Sequence, residues 1–125
     1  MNIPEDLKYS PEHEWIKVDG ESAYIGITDF AQNELGDIVF VEFPEIGDIF
    51  SAGDVFGTVE AVKTVADLFA PISGEVLEIN GSLENSPEAI NTDSYNDSWI
   101  IKIKISNTEE LDTLLDHQSY EGLLT

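Results

Sequence analysis

Between Val18 and Ile101 the chain has one cationic side chain, Lys63, set among seventeen carboxylates. An amine is a nucleophile only when unprotonated, and an ordinary lysine, with a pKa of about 10.4, is neutral in roughly one molecule per thousand at cellular pH. Acylation would therefore need a base supplied by another protein, and would turn the lysine into an uncharged tether. His13 beside Glu12 and Glu14, and His117 beside Asp116, raise a metal site or an acid–base pair. Two histidines so far apart in sequence prove little, and the plainer reading packs His13 near Trp15 and leaves His117 on a helix surface. No nucleophile and base stand at a recognisable spacing. With no cysteine there is no disulfide, no thiolate metal site and no Cys nucleophile.

The elements that must position Lys63 are strand-like on both sides, Val55 to Glu60 before it and Val65 to Ala70 after it. Ala61 to Thr64 are left to make the reversal. That stretch holds neither Gly nor Asn, so it predicts a turn with right-handed angles and a lysine near a hairpin tip. A lysine at a loop tip that is merely solvated fits the same pattern, and residue physics alone does not separate the two.

Around this hairpin the sequence predicts a β-rich domain. Trp15 to Val18 and Ala23 to Ile27 flank Asp19-Gly20 as a first hairpin. Thr28 or Asp29 caps a short helix over Phe30, Ala31 and Leu35 that Gly36 ends. Ile38 to Phe43, Gly74 to Ile79 and Trp99 to Ile105 read as further short strands, the pattern of a barrel or sandwich. Leu111, Leu114, Leu115, Leu123 and Leu124 fall on a helical stripe, with Ser106 and Glu109 at capping-box spacing. Segments 44–50 and 71–77 echo one another, a hint of two similar half-sheets facing each other.

The chain's 125 residues and 42% apolar content predict a single domain spanning residues 1–125. Its 26 acidic and 5 basic residues give a formal net charge of -21, which repels phosphate backbones and argues against nucleic acid while favouring partners with basic patches. An acidic coat for solubility alone reads equally well. The first residues lack a secretory signal and no run of eighteen apolar residues occurs, so no membrane association and a cytoplasmic location are expected.

The run Gly57-Thr58-Val59-Glu60-Ala61-Val62-Lys63-Thr64-Val65-Ala66-Asp67-Leu68-Phe69-Ala70-Pro71-Ile72-Ser73-Gly74-Glu75-Val76 resembles the lipoylation segment of the H proteins of the glycine cleavage system. The resemblance extends to Lys8-Tyr9, His13-Glu14-Trp15, Phe30-Ala31, Leu35-Gly36-Asp37, Asn91, Trp99, Lys102, Leu111 through Leu115 and Tyr120. Biotin carriers usually place Met beside the lysine, and lipoyl domains of 2-oxoacid dehydrogenases place Asp before it and Ala after; here Val62 and Thr64 flank it.

The resemblance implies a mostly β, flattened barrel-sandwich hybrid of the lipoyl/biotinyl type, with short flanking helices including a C-terminal one. It implies lipoate joined covalently to Lys63 by a lipoate ligase or by an octanoyltransferase with lipoyl synthase, Glu60 being a recognition point for the attaching enzyme. The carrier, itself no enzyme, would take the aminomethyl unit of glycine from a pyridoxal-phosphate decarboxylase to a tetrahydrofolate-dependent aminomethyltransferase. A dihydrolipoamide dehydrogenase would then restore the disulfide. Glu14 and Asp67 match positions lining a cleft that shelters the loaded arm, and both can pair with a cationic amine. Glu12 stands where the family often has a small polar residue. Rival readings are a biotinylated shuttle, a lipoyl donor to other proteins, a plain acidic interaction module, and a hydrolase using Glu14 and Asp67.

Overall fold

The computed structural model describes residues 2–124. The chain begins with β1 (Lys8–Tyr9), β2 (Glu14–Asp19) and β3 (Ser22–Ile27). Asp19 is still paired, with Ser22, so the turn is centred on Gly20 and Glu21. Only Gly20 takes a positive φ there, at 63°, the pattern of a tight hairpin turn with glycine in its first central place. Helix α1 (Asp29–Leu35) follows, its N-terminus capped by the Thr28 hydroxyl, which accepts from the Ala31 N–H. Gly36, at φ 82°, ends it.

Beyond α1 come β4 (Ile38–Glu42), β5 (Ile49–Phe50), β6 (Val55–Ala61), β7 (Val65–Phe69) and β8 (Gly74–Ile79). Two single-turn helices, α2 (Ser82–Asn85) and α3 (Ala89–Thr92), precede β9 (Ile101–Ile105), and α4 (His117–Leu124) closes the chain. Strand β9 starts later than the expected Trp99 because Asn96–Ser98 form a 3-10 turn just before it.

The strands make a six-stranded sheet in the order β1-β2-β3-β9-β8-β5 and a three-stranded sheet in the order β4-β6-β7. Every pairing is antiparallel. The sheets do not close into a barrel but share one core, in which Ile16, Ile25, Ile101 and Ile103 from the larger meet Val41, Val59 and Leu68 from the smaller. Each such side chain contributes about 1.5–3 kcal/mol by leaving water. The mostly β architecture with short helices and a C-terminal helix is the one expected.

Three local expectations change. The echoing segments do not face each other: β5 and β8 lie side by side, Ile49 opposite Glu75 and Phe50 opposite Gly74. Ser106 is no helix cap, because its N–H still bonds the Ser73 carbonyl; Asn107 caps the 3-10 helix Thr108–Thr113 by accepting from the Glu109 N–H. The leucine stripe is not one helix either, since Leu111 lies in that 3-10 segment and Leu115 pairs with Tyr9 as an isolated bridge.

A second apolar cluster lies beside β1, made of Leu7, Tyr9, Trp15, Tyr95 and Tyr120. Trp15 needs a glycine opposite it: a Cβ on Gly26 would come within 2.6 Å of the indole. The indole N–H donates to the Ser94 carbonyl at 2.9 Å. Among the described residues no helix is long and apolar enough to cross a membrane.

Candidate functional site

Lys63 stands at the tip of the β6–β7 hairpin. The Ala61 N–H closes the turn on the Thr64 carbonyl at 2.8 Å, and no residue from Ala61 to Thr64 has a positive φ, so the right-handed turn is the one formed. Packing holds it, because the Val62 N–H also donates to the Asp37 carbonyl at 3.1 Å. The Lys63 side chain is exposed and, among the described residues, makes no ion pair. Its stem lies over the glycine that ends α1: a Cβ on Gly36 would sit 3.5 Å from Lys63 Cε and 3.9 Å from Nζ.

The floor under Lys63 is fixed by a residue whose role the sequence did not disclose. Asn91, on α3, accepts from the Ile38 N–H at 2.8 Å and donates to the Gly36 carbonyl at 2.8 Å and to Gln32 Oε1 at 2.9 Å. One side chain thus joins the end of α1, the start of β4 and α3. The resemblance named Asn91 without a role, and a short helix with no capping signal gave no other clue.

Between α1 and the free edge of β7 runs a cleft of about 310 Å³, lined by Phe30, Ala31, Glu34 and Leu35 on one side and Ala66, Asp67 and Leu68 on the other, with Glu12, His13 and Glu14 among its walls. Lys63 sits where α1 ends and β7 begins. At the far end of β7, Glu14 Oε2 accepts from the Phe69 N–H at 3.0 Å. Four residues of strand at about 3.4 Å each separate Val65, just past the tip, from Phe69, a run of about 14 Å along β7.

Glu14 is not the solvated carboxylate that a surface strand would give. It is 2% exposed, and its other oxygen accepts from the Ser10 hydroxyl at 2.8 Å. Burial pushes its pKa up to about 7, against the pull of the Ser10 and Phe69 hydrogen bonds and with a further push from Glu12. The carboxyl is therefore poised between its charged and neutral forms near neutrality. It also lines a second cavity, of about 400 Å³, with Ser10, Ala70, Thr113 and Leu114.

Asp67 shares the cleft but not the environment. It is exposed, and the register places it opposite Thr58, which in turn faces Glu42. Glu60 lies one row nearer the tip, between Phe40 and Val65 on the same outer face. It is half-buried and does not line the cleft.

His13 departs from the packing expected of it. Its neighbours are the Phe30 ring at 4.6 Å and the Tyr120 ring at 5.7 Å, centroid to centroid, instead of Trp15. It takes a positive φ of 69° at the turn into β2. His117 begins α4 and is half-buried. Among the described residues no three His, Cys, Asp or Glu side chains gather as a metal site.

A model of the glycine cleavage H-protein family matches residues 7–125. A glycine cleavage system H protein of Carboxydothermus hydrogenoformans is 59% identical over 122 residues, covering 98% of this chain and 94% of that one. One of Bacteroides fragilis is 52% identical over 124 residues, covering 99% and 98%. A crystal structure of a glycine cleavage system H protein from Mycobacterium marinum, 40% identical, superimposes with a TM-score of 0.88 over 96% of this chain and 97% of that one. The chain thus belongs to the glycine cleavage H-protein family and is a non-catalytic carrier component of that system.

Proposed function

We propose that Lys63 carries lipoate as an amide on Nζ, and that the arm takes the aminomethyl unit of glycine from a pyridoxal-phosphate decarboxylase to a tetrahydrofolate-dependent aminomethyltransferase. A dihydrolipoamide dehydrogenase then reoxidises it. The lipoyl group supplies a disulfide that opens to accept the aminomethyl unit and is restored by thiol exchange. The observation that carries this reading is a lysine held exposed at a hairpin tip beside Gly36, where helix α1 ends, while α1 and β7 between them line a cleft that holds a buried carboxyl group.

The residues present fit such an arm. A dozen bonds beyond Cα reach on the order of 14 Å, which matches the run from the tip to Glu14. The bare Gly36 leaves the stem of Lys63 room to lie back along α1. Phe30, Ala31, Leu35 and Leu68 give the apolar walls, and Glu14, with Asp67 at the rim, gives the anionic end. A carboxylate next to a primary amine favours its protonated form, and a protonated amine has no lone pair with which to expel a leaving group from its carbon. Glu14 and Asp67 therefore preserve the cargo in transit.

The enzyme that acylates Lys63, a lipoate ligase or an octanoyltransferase acting with lipoyl synthase, meets Glu60 on the outer face of the hairpin. The excess of carboxylates speeds encounters with basic docking sites. The whole chain acts as one carrier domain in the cytoplasm. Handing lipoyl groups on to other proteins would use the same lysine, and transfer assays with apo-acceptors separate the two roles.

The test is the intact mass of protein from its native cells, with fragment mapping around residue 63. A lipoyl addition on Lys63 that gains two hydrogens on reduction is expected. A bare Lys63 in cells whose other lipoyl proteins are modified rejects the reading, as does a biotinyl addition.

A further inference from the structure

The strained residue at the cleft, His13, is tied to the C-terminal helix by a chain of hydroxyl groups. His13 Nδ1 lies 2.8 Å from the Tyr120 hydroxyl, which lies 2.7 Å from Thr28 Oγ1. Thr28 Oγ1 accepts from the Ala31 N–H at 3.2 Å. Thr28 is fully buried, and Tyr120 is the only other partner of its hydroxyl among the described residues. Tyr120 is also fully buried, its ring stacked on Tyr9 at 4.6 Å.

These contacts fix where the protons lie. Each hydroxyl has one proton to donate, and a buried donor without an acceptor is costly. If Tyr120 donated to Thr28, the Thr28 proton would have no acceptor. Thr28 therefore donates to Tyr120, and Tyr120 donates to His13 Nδ1. The nitrogen that receives this proton cannot carry one of its own, which leaves the single ring proton on Nε2.

We propose that His13 is a positioning residue of the amine cleft, held by the Thr28–Tyr120 hydroxyl chain as the uncharged Nε2–H tautomer, so that the C-terminal helix keeps a competing cation out of the cleft. The surroundings show why a restraint is needed. Glu12 and Glu34 both favour a charged imidazole, and Glu14 and Asp67 line the same cleft, while Phe30 offers only an apolar face. A charged His13 would place a like charge in the cleft that the cargo amine must enter. Charging it would require a proton on Nδ1, turning Tyr120 back towards Thr28 and stranding the Thr28 proton. Burial acts in the same direction and holds the His13 pKa below its usual value. The left-handed backbone at His13 has a matching purpose, since a sparsely populated conformation is kept where the surrounding structure overrides its cost.

The inference rests on the amine-carrying role for its consequence but not for its first measurement. Nitrogen-detected NMR of the unmodified protein reads the His13 tautomer directly, whether or not Lys63 is ever lipoylated. The expected result is a bare Nδ1 and a protonated Nε2 at neutral pH, persisting as the pH falls to the ordinary histidine midpoint; a protonated Nδ1 there overturns the proposal.

Tyr120→Phe keeps the stack on Tyr9 and removes only the hydroxyl. In that variant His13 should populate both tautomers and its titration midpoint should rise. The lifetime of the aminomethyl-loaded carrier should shorten roughly threefold below the new midpoint, the size of an exposed like-charge contact, and match the parent above it. An unchanged tautomer and titration, or a shifted titration with an unchanged lifetime, overturns it. Should Tyr120→Phe fail to fold, the tautomer of the parent protein still decides.

Discussion

Lys63 stands at the hairpin tip beside the end of α1, and Glu14 stands in the wall of the cleft that α1 and β7 line; the chain builds these two regions in opposite ways. At the hairpin tip the side chain is exposed, makes no ion pair among the described residues, and is held only through the backbone beneath it. At the far end the carboxyl group is buried, bonded through both oxygens, and flanked by a histidine in a strained conformation. A tether gains from freedom, because it must enter several enzymes in turn. A receiving group gains from fixed geometry, because reorganising it for each cargo would waste the interaction.

The sharpest way to break the comparison is at the tether. Lys63→Arg keeps the cation but cannot form the amide, so glycine cleavage in a reconstituted mixture should fall to background while the melting curve stays that of the parent. Retained cleavage would mean that the tip is not the attachment point. The corresponding change at the receiving end is Glu14→Gln, whose amide can still accept from the Phe69 N–H and donate to Ser10. Losing one charged hydrogen bond of about 1.5–3 kcal/mol should shorten the life of the loaded carrier about tenfold or more, measured near pH 8 where the parent carboxyl is ionised. Below about pH 6 the difference should shrink.

The same variant has a stability signature that no tether variant shares. Because burial raises the Glu14 pKa from 4.5 to about 7, the folded state holds a proton that the unfolded chain has already released. That stabilisation is complete below pH 4.5 and lost as pH rises through 7. Between these limits the parent should lose about 3 kcal/mol that Glu14→Gln does not. Urea unfolding of both proteins at several pH values checks this, and parallel curves would show that Glu14 is better solvated than its burial indicates.

Asn91→Ala tests the floor between the two ends. It removes three hydrogen bonds, and at about 1 kcal/mol each, partly recovered by water, the loss of stability should be about 2 kcal/mol. Acylation of Lys63 should proceed at the parental rate, since the tip needs only to be exposed. If acylation collapsed while stability held, the tip would prove as preorganised as the cleft.

The tip was the more legible of these regions. A reversal with neither Gly nor Asn between two β-branched runs announces a hairpin and its kind of turn, both local properties of adjacent residues. The cleft end was not legible from residue physics. Nothing local distinguishes Glu14 from Glu12, yet one is buried and the other exposed, because the pairing of β2 with β3 and the free edge of β7 decide it. His13 and Tyr120 are 107 positions apart, so their contact leaves no periodic trace. Likewise the leucine tail had a helical period, but the pairing of Leu115 with Tyr9 overrode it.

Asp67→Asn is the smallest and the most discriminating change, because this carboxylate shares the cleft with Glu14 while lying in solvent as Lys63 does. An exposed charge contact is worth about 0.2–1 kcal/mol, so the loaded carrier should decay about threefold faster at most. Salt should erase the effect, since the Debye length falls from about 10 Å at 0.1 M to about 3 Å at 1 M. The Glu14→Gln effect should persist in the same salt, because a buried contact is poorly screened. Decay rates of both variants at low and high salt therefore separate rim from floor. Equal, salt-insensitive losses would mean that the cleft closes over Asp67 when loaded, and that the contrast between an open tip and a fixed receiving end holds only for the unloaded carrier.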